Sequence, residues 1–507
     1  MHLFNWDLLI IKPIFIFIGV FLIFFLAKKE KENKFWWLFY LETLAIWIVN
    51  GFVVRLNLLQ VGIATMNMTT IAMIMFTIFA SSYLIGIILK PLAVWLTYKV
   101  QNRRVWMWMG IMTTFLALIL ASTFINQQPP IWILVISTLL IGFSISTQTL
   151  YFLLPNEQFY YRLFPIFTSL KMGMVTSLGG YIGIFLFDFN ILLSGFQEVS
   201  ISNLHNVSFA LVVTAMFLLI GTSFILSFFN LERTKFIDAF ESNIRKELQP
   251  YNKKILFLIV LAAFWLGTIS GLIQNNLINL TIAGSLKQNG YSESFIYSLV
   301  SFNHDAFLVP GFLFGYLLYR IFFKKMTITQ TLLVLFVVSG IFAIVASFTN
   351  SWEIMIFTNF IFGISISITF YLLIGYSMMW NYRNKGLLIT GFVVAADMMG
   401  LFLVQIILTI IKSSLFADFG QITSIQSILN ADANTISTFL TKTDGFLSII
   451  YAIVFALIAF YCIFILLWFK QFLAEMNDIR KGTLKMAVIE KKIMITKIKE
   501  KIIEIDN

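Results

Sequence analysis

Seven ionisable residues fall inside long apolar runs: Glu42, Arg55, Lys90, Lys171, His304, Asp305 and Asp397. A cation or aspartate at the centre of a membrane helix costs about 2.5–3.5 kcal/mol on insertion scales. Such residues persist where they face a pathway or a partner, and their chemistry is the holding of ions and protons. At 1.5 Å per helical residue, Lys90 lies about 12 Å in from Tyr98, and Asp397 about 15 Å in from Leu387. Asp305 lies about 22 Å from Arg320, and Lys171 is about 12 Å in from Leu163. Arg55 falls in the outer half of its run. Lys90 and Arg55 are long enough to snorkel toward an interface, whereas Asp397 is too short and too deep.

Bond-making chemistry finds no support. The three histidines, His2, His205 and His304, are scattered, and Cys462 is the single cysteine. No Cys/His cluster suited to a metal and no nucleophile–base motif is present. No P-loop is present either, so neither ATP hydrolysis nor a cofactor is expected, and the chain does not read as an enzyme. The formal net charge of +11 is held in short segments between apolar runs, an orientation signal of membrane proteins rather than a nucleic-acid footprint.

The elements that must position these charges are membrane helices. The chain is 59% hydrophobic and 12% charged, against about 25% charge in soluble domains. Apolar runs of about 20 residues, enough to cross the hydrocarbon, recur throughout. They predict 13 spans, near 8–27, 35–60, 68–97, 105–124, 131–154, 163–187, 207–229, 254–283, 294–320, 326–349, 353–379, 387–412 and 446–470. The first lacks a cleavage site and is followed by Lys28, Lys29, Lys31 and Lys34, so it reads as an uncleaved anchor with its N-terminus outside. Alternate loops carry 19 cations on one side, but only Lys287, Lys412 and Lys442 on the other. The positive-inside rule makes the first side cytoplasmic and gives a multi-pass protein of the cell membrane with a cytoplasmic C-terminus. Residues 413–445 read as a polar outer loop. The tail 471–507 reads as an amphipathic helix on lipid or as a solvated charged segment.

One phrase is written twice. Val94–Arg104, "VWLTYKVQNRR", is echoed 221 positions later by Gly315–Lys325, "GYLLYRIFFKK". Gly142–Ser146 matches Gly363–Ser367, Tyr161–Arg162 matches Tyr382–Arg383, and Gly179 matches Gly400, all at that offset. Matches in register across three helix pairs indicate duplication. The expected domains are an anchor and basic loop (1–34), six helices (35–229), a linker (230–253), six more helices (254–470) and the tail.

The doubled phrase resembles the signature loop of the major facilitator superfamily, G-x-L-x-D-R-x-G-R-R, with Leu96, Lys99, Arg103 and Arg104 in place. Tyr98 and Tyr319 stand where the family has aspartate. The resemblance implies an all-α integral membrane protein with the major facilitator fold: two six-helix bundles, plus one extra N-terminal transmembrane helix. It also implies secondary transport by alternating access, with Lys99 and Arg320 in gating positions. A narrower resemblance is to the organophosphate:phosphate antiporters. Val54–Arg55–Leu56–Asn57 matches their V-R-x-N, Lys90 stands eight before Tyr98 as their lysine does before its aspartate, and Asp305 stands five before Pro310. Their second clamping arginine would fall near Ser270, beside Gln274, Asn275 and Asn276, and their histidine at Thr176.

These readings imply a small-molecule substrate. A small organic anion such as a sugar phosphate or glycerol phosphate would be held by Arg55, Lys90, Lys171 and Asn275, on the expectation that the three cations converge. Asp305 and Asp397 would pair with these cations in the empty protein or handle protons. The alternative is a proton-coupled symporter or exporter of an amphipathic or cationic solute. Membrane lipids are the other expected partner, and the chain is expected to act as a monomer.

Overall fold

The computed structural model describes residues 5–29, 34–65, 82–100, 103–123, 129–158, 165–193, 207–229, 253–323, 328–349, 351–381, 389–418 and 424–467, with a few isolated positions between them. The expected linker, apart from Lys253, and the expected tail lie outside these residues, as do the side chains of Lys99 and Lys412.

All the long elements are helices, the arrangement in which a chain in hydrocarbon satisfies its own backbone. Helix α1 (Asp7–Lys29) opens with a π-helical turn. The first bundle is α2 (Lys34–Thr65), α3 (Ser82–Val100), α4 (Arg103–Thr123), α5 (Ile131–Gln158), α6 (Pro165–Leu193) and α7 (Val207–Phe229). The second begins with a broken span, α8 (Lys253–Ile273) and α9 (Asn276–Gln288). It continues through α10 (Glu293–Leu313), which bends by 47° into Gly315–Phe323. Next come α11 (Ile328–Phe348), α12 (Trp352–Asn381), α13 (Ile389–Asp418), a short α14 (Ile425–Asn430) and α15 (Ala433–Leu467). Eleven described helices are long and apolar enough to span, and the bent pair makes a twelfth. The shorter apolar stretch Tyr83–Leu96 stands at the remaining expected span.

Phe17, Phe21, Leu218 and Leu467 are among the large apolar side chains left exposed, as expected on helices that meet lipid rather than water. Inside each bundle, small residues let backbones approach. A Cβ on Gly51 would fall 2.3 Å from the Gly180 carbonyl oxygen, pressing α2 to α6, and one on Gly400 would fall 2.4 Å from that of Phe264, pressing α13 to α8. The echoed residues pack alike. Gly142 of α5 meets Ile85 of α3, and Gly363 of α12 meets Phe307 of α10. Ser144 bonds the Thr114 hydroxyl at 2.6 Å, and its echo Ser365 accepts from Ser339 at 2.7 Å.

The two bundles close on each other toward the end predicted to be cytoplasmic. Ser169 of α6 donates to the Tyr371 carbonyl of α12 at 2.6 Å, and Ser177 shares a 2.7 Å bond with the Tyr371 hydroxyl. A Cβ on Gly375 would lie 2.7 Å from the Ile166 backbone. At the second seam Gly391 of α13 sits against Lys90 and Pro91 of α3.

One expectation needs correction. The region 413–445 is not an open polar loop. Helix α13 runs on to Asp418, α14 follows, and α15 begins at Ala433. Ile436, Phe439 and Leu440 have helical spacing and are buried, a stripe that the surrounding Ser and Thr had masked. The span expected over 254–283 is one crossing, Leu256–Gln288, with a helical interruption at Gln274–Asn275, where Asn275 caps α9 by accepting from the Leu277 amide at 3.1 Å.

Candidate functional site

Four elements bring charge to one seam. Helix α1 lies between α6 of the first bundle and α10 of the second, with Gly19 wedged between Leu178 and Phe312 at Cβ distances of 2.8 and 3.2 Å. Its start is fastened to α10. The Trp6 amide donates to the Ser298 hydroxyl at 3.1 Å, and the indole packs on Phe295 and Phe302. That places Lys12 against Asp305, with Nζ 3.1 Å from the carboxylate and both side chains buried. Tyr181 of α6 donates to the other Asp305 oxygen at 2.5 Å. Asp7, fully buried, stands 3.9 Å from the same Lys12 ammonium.

Arg55 of α2 and Asp188 of α6 extend the cluster. Arg55 Nε donates to Asp188 at 3.1 Å, and their side chains are 46% and 22% exposed. Asp188 lies within electrostatic range of Lys12, Asp7 and Asp305. His304, adjacent to Asp305, is exposed and senses Lys12, Arg55 and Asp188 from three other elements. Among the described residues the cluster holds three carboxylates (Asp7, Asp188, Asp305) against two cations (Lys12, Arg55). It carries one negative charge in excess unless a proton or a cation joins it.

The second seam is simpler. Lys90 of α3 and Asp397 of α13 are electrostatic partners across it, and Tyr83 of α3 also senses Asp397. Gly267 of α8 lies so close beneath that a Cβ there would fall 2.0 Å from the Asp397 carbonyl oxygen.

The expected convergence of Arg55, Lys90 and Lys171 is not what the structure holds. Arg55 pairs with Asp188, and Lys90 faces Asp397 at the other seam. Lys171 is buried, with its ammonium 5.8 Å from the Tyr316 ring, and it lines a small cavity with Ile23, Leu26 and Tyr40. On α6 it stands 17 residues before Asp188, about 25 Å along the axis. One small anion cannot reach both ends of that distance. Asp305 takes Lys12 as its partner, a residue that sequence reasoning passed over along with Asp7, Tyr181 and Asp188. Arg320 lies just beyond the bend of α10, beside Tyr319, whose ring meets Phe167 of α6 edge-on at 5.6 Å. Asn275 sits at the α8–α9 break with its Nδ2 buried and without a hydrogen-bond partner among the described residues. Nearby α9, α10 and α12 are linked by Asn279, Asn303 and Asn359, in two bonds of 2.8 Å.

Against known proteins, the arrangement has the fold of solved major facilitator transporters. The E. coli fucose:proton symporter FucP superposes with a TM-score of 0.52 at 12% identity, over 83% of this chain and 97% of that one. FucP in the outward conformation gives 0.50 at 14%, over 85% and 99%. The proton:xylose symporter XylE bound to 6-bromo-6-deoxy-D-glucose gives 0.56 at 12%, over 85% and 95%. No protein-family model matches the sequence, and no curated protein matches it. The likeness establishes an all-α multi-pass membrane protein with the major facilitator fold, to which this chain adds α1.

Proposed function

We propose that this protein is a secondary active transporter that couples proton movement to the passage of a small polar solute. The observation that carries the reading is the excess carboxylate at a seam between the two bundles. A proton taken up there neutralises a cluster contributed by both moving halves, which ties its charge to their rocking. Lys90 and Asp397 hold the opposite seam with no net charge.

For the solute, the broken α8–α9 span favours a hydroxyl-rich molecule of the sugar class. Discontinuous helices line transport sites because they free polar groups at depth, and the Asn275 amide is such a group. The fucose and xylose symporters that share the fold are consistent with that class. An acidic sugar is a second reading, favoured by Arg55: Asp188 engages its Nε, while the remaining guanidinium donors meet no acceptor among the described residues.

The test is uptake into proteoliposomes under an imposed pH gradient, with L-fucose, D-xylose, D-glucuronate and glycerol 3-phosphate as probes. At least one probe should accumulate with the gradient and equilibrate without it. Asp305→Asn should abolish accumulation while leaving solute exchange at equal pH within about threefold. Accumulation by Asp305→Asn at the wild-type level would end the proton reading. Loss of glucuronate and phosphate uptake alone in Arg55→Gln would favour the acidic solute.

A further inference from the structure

The extra helix is more than an anchor. Its only charged residues before the closing Lys28–Lys29 are Asp7 and Lys12, and both side chains are buried at the α6–α10 seam. An anchor facing lipid has no use for either. We infer that α1 is a working part of the transport site, and that Lys12 is a tethered cation that competes with the transported proton for Asp305.

The geometry supplies both positions of the exchange. With Asp305 ionised, the Lys12 ammonium stands 3.1 Å from it, and Tyr181 donates to its second oxygen. When a proton from the cleft binds Asp305, the O–H bond forms on the carboxylate and the attraction for Lys12 is lost. The ammonium then has Asp7, now 3.9 Å away on its own helix, as its remaining close partner. No covalent bond of Lys12 changes, and the net charge of the cluster goes from one negative to neutral. The groups within reach of Asp305 are Lys12 and Asp7 from α1, Tyr181 and Asp188 from α6, and Arg55 from α2 through Asp188, while His304, the preceding residue on α10, senses Lys12, Arg55 and Asp188. Only Lys12 forms an ion pair with Asp305 among the described residues.

Because Trp6 is bonded to α10 while Gly19 leans on α6, the helix touches both moving bundles. A shift of the ammonium from Asp305 toward Asp7 weakens the hold of α1 on α10 at the moment of proton loading. Lys12 is thus a positioning residue for the proton and not a solute ligand. The inference rests on the proton-coupled reading, so its test must fail separately from that reading.

The experiment needs no solute. Infrared difference spectra of the full chain in lipid, recorded across a pH series, report the protonated-carboxyl band, and Asp305→Asn identifies the component due to Asp305. In Lys12→Gln that component should titrate about one pH unit or more toward alkaline, the size of effect that a neighbouring opposite charge exerts on a carboxylate. Lys12→Arg keeps the charge and should titrate as wild type does. Should Lys12→Gln fold poorly, the double variant Lys12→Gln/Asp7→Asn removes Lys12 together with the carboxylate that its loss would leave unpaired, and the Asp305 component should still titrate alkaline of wild type. An Asp305 midpoint equal to that of wild type in either variant would overturn the role of Lys12 and leave the proton carboxylate standing. If Asp305→Asn removes no titrating band, the proton-coupled reading itself falls.

Discussion

At the scale of the residue, the structure separates two kinds of buried charge that look alike in sequence. Lys90, buried, lies within electrostatic range of the half-buried Asp397 across the α3–α13 seam. Removing one partner leaves the charge of the other uncompensated within the seam. Lys90→Met alone should therefore lower the melting temperature of the purified protein and abolish uptake. Lys90→Met/Asp397→Leu should recover most of the stability, and the double-mutant cycle should show a coupling of about 1–3 kcal/mol. Additive losses would mean that the two residues act independently. The α6–α10 cluster will not answer to such a swap, because its carboxylates outnumber its cations. Sequence reading found Asp305 and Asp397 because each interrupts an apolar run. Asp188 escapes such a reading because it stands one residue past the expected end of its span at 187. The same reading passes over Asp7 and Lys12 because they stand near the end of a helix read as a plain anchor. Nothing near them in the chain announces a partner on α10.

At the scale of the element, apolar length is the most legible property and polar helices are the least. Composition locates the spans well, and the 221-residue echo marks glycines and serines that make matching contacts in the two bundles. The break between α8 and α9 left a weaker trace, the run Gln274–Asn275–Asn276. The cap built by α14 left almost none. That short helix is tied down by Lys287, whose ammonium donates to the carbonyls of Ile428, Leu429 and Ala431 at 3.0, 2.5 and 2.7 Å. A cation there satisfies the last carbonyls of the helix and complements its dipole. Tyr297 adds a 2.5 Å bond to Gln426. Lys287→Met should free the segment without disturbing the spans. The expected result is proteolytic nicking or cysteine labelling within 424–432 at least tenfold faster than in wild type, with the fold otherwise intact. Unchanged labelling would mean that apolar burial of Ile428 and Leu429 holds the cap by itself.

At the scale of the whole molecule, the bundles meet at one end through α6 and α12, while Arg55 and His304 keep exposed side chains. Helix α1 crosses this frame between the halves, and that has a consequence for how the protein is made. Trp6 and the Ser298 hydroxyl it bonds are 292 residues apart. At synthesis rates of about 5–20 residues per second, α10 leaves the ribosome roughly 15–60 s after α1. Throughout that interval α1 must wait in or beside the bilayer with two charges and no Asp305. Asp7 and Lys12, 3.9 Å apart on successive turns, can neutralise each other during the wait. The contact that looks weaker in the finished protein thus serves the nascent one, as a travelling companion until the permanent partner arrives. Asp7→Asn should then reduce membrane insertion of nascent chains truncated before residue 293, which carry no Asp305, as measured by protease protection. Equal insertion of the Asp7→Asn and wild-type fragments would show that the charge of Lys12 is shielded during synthesis by something other than its own helix.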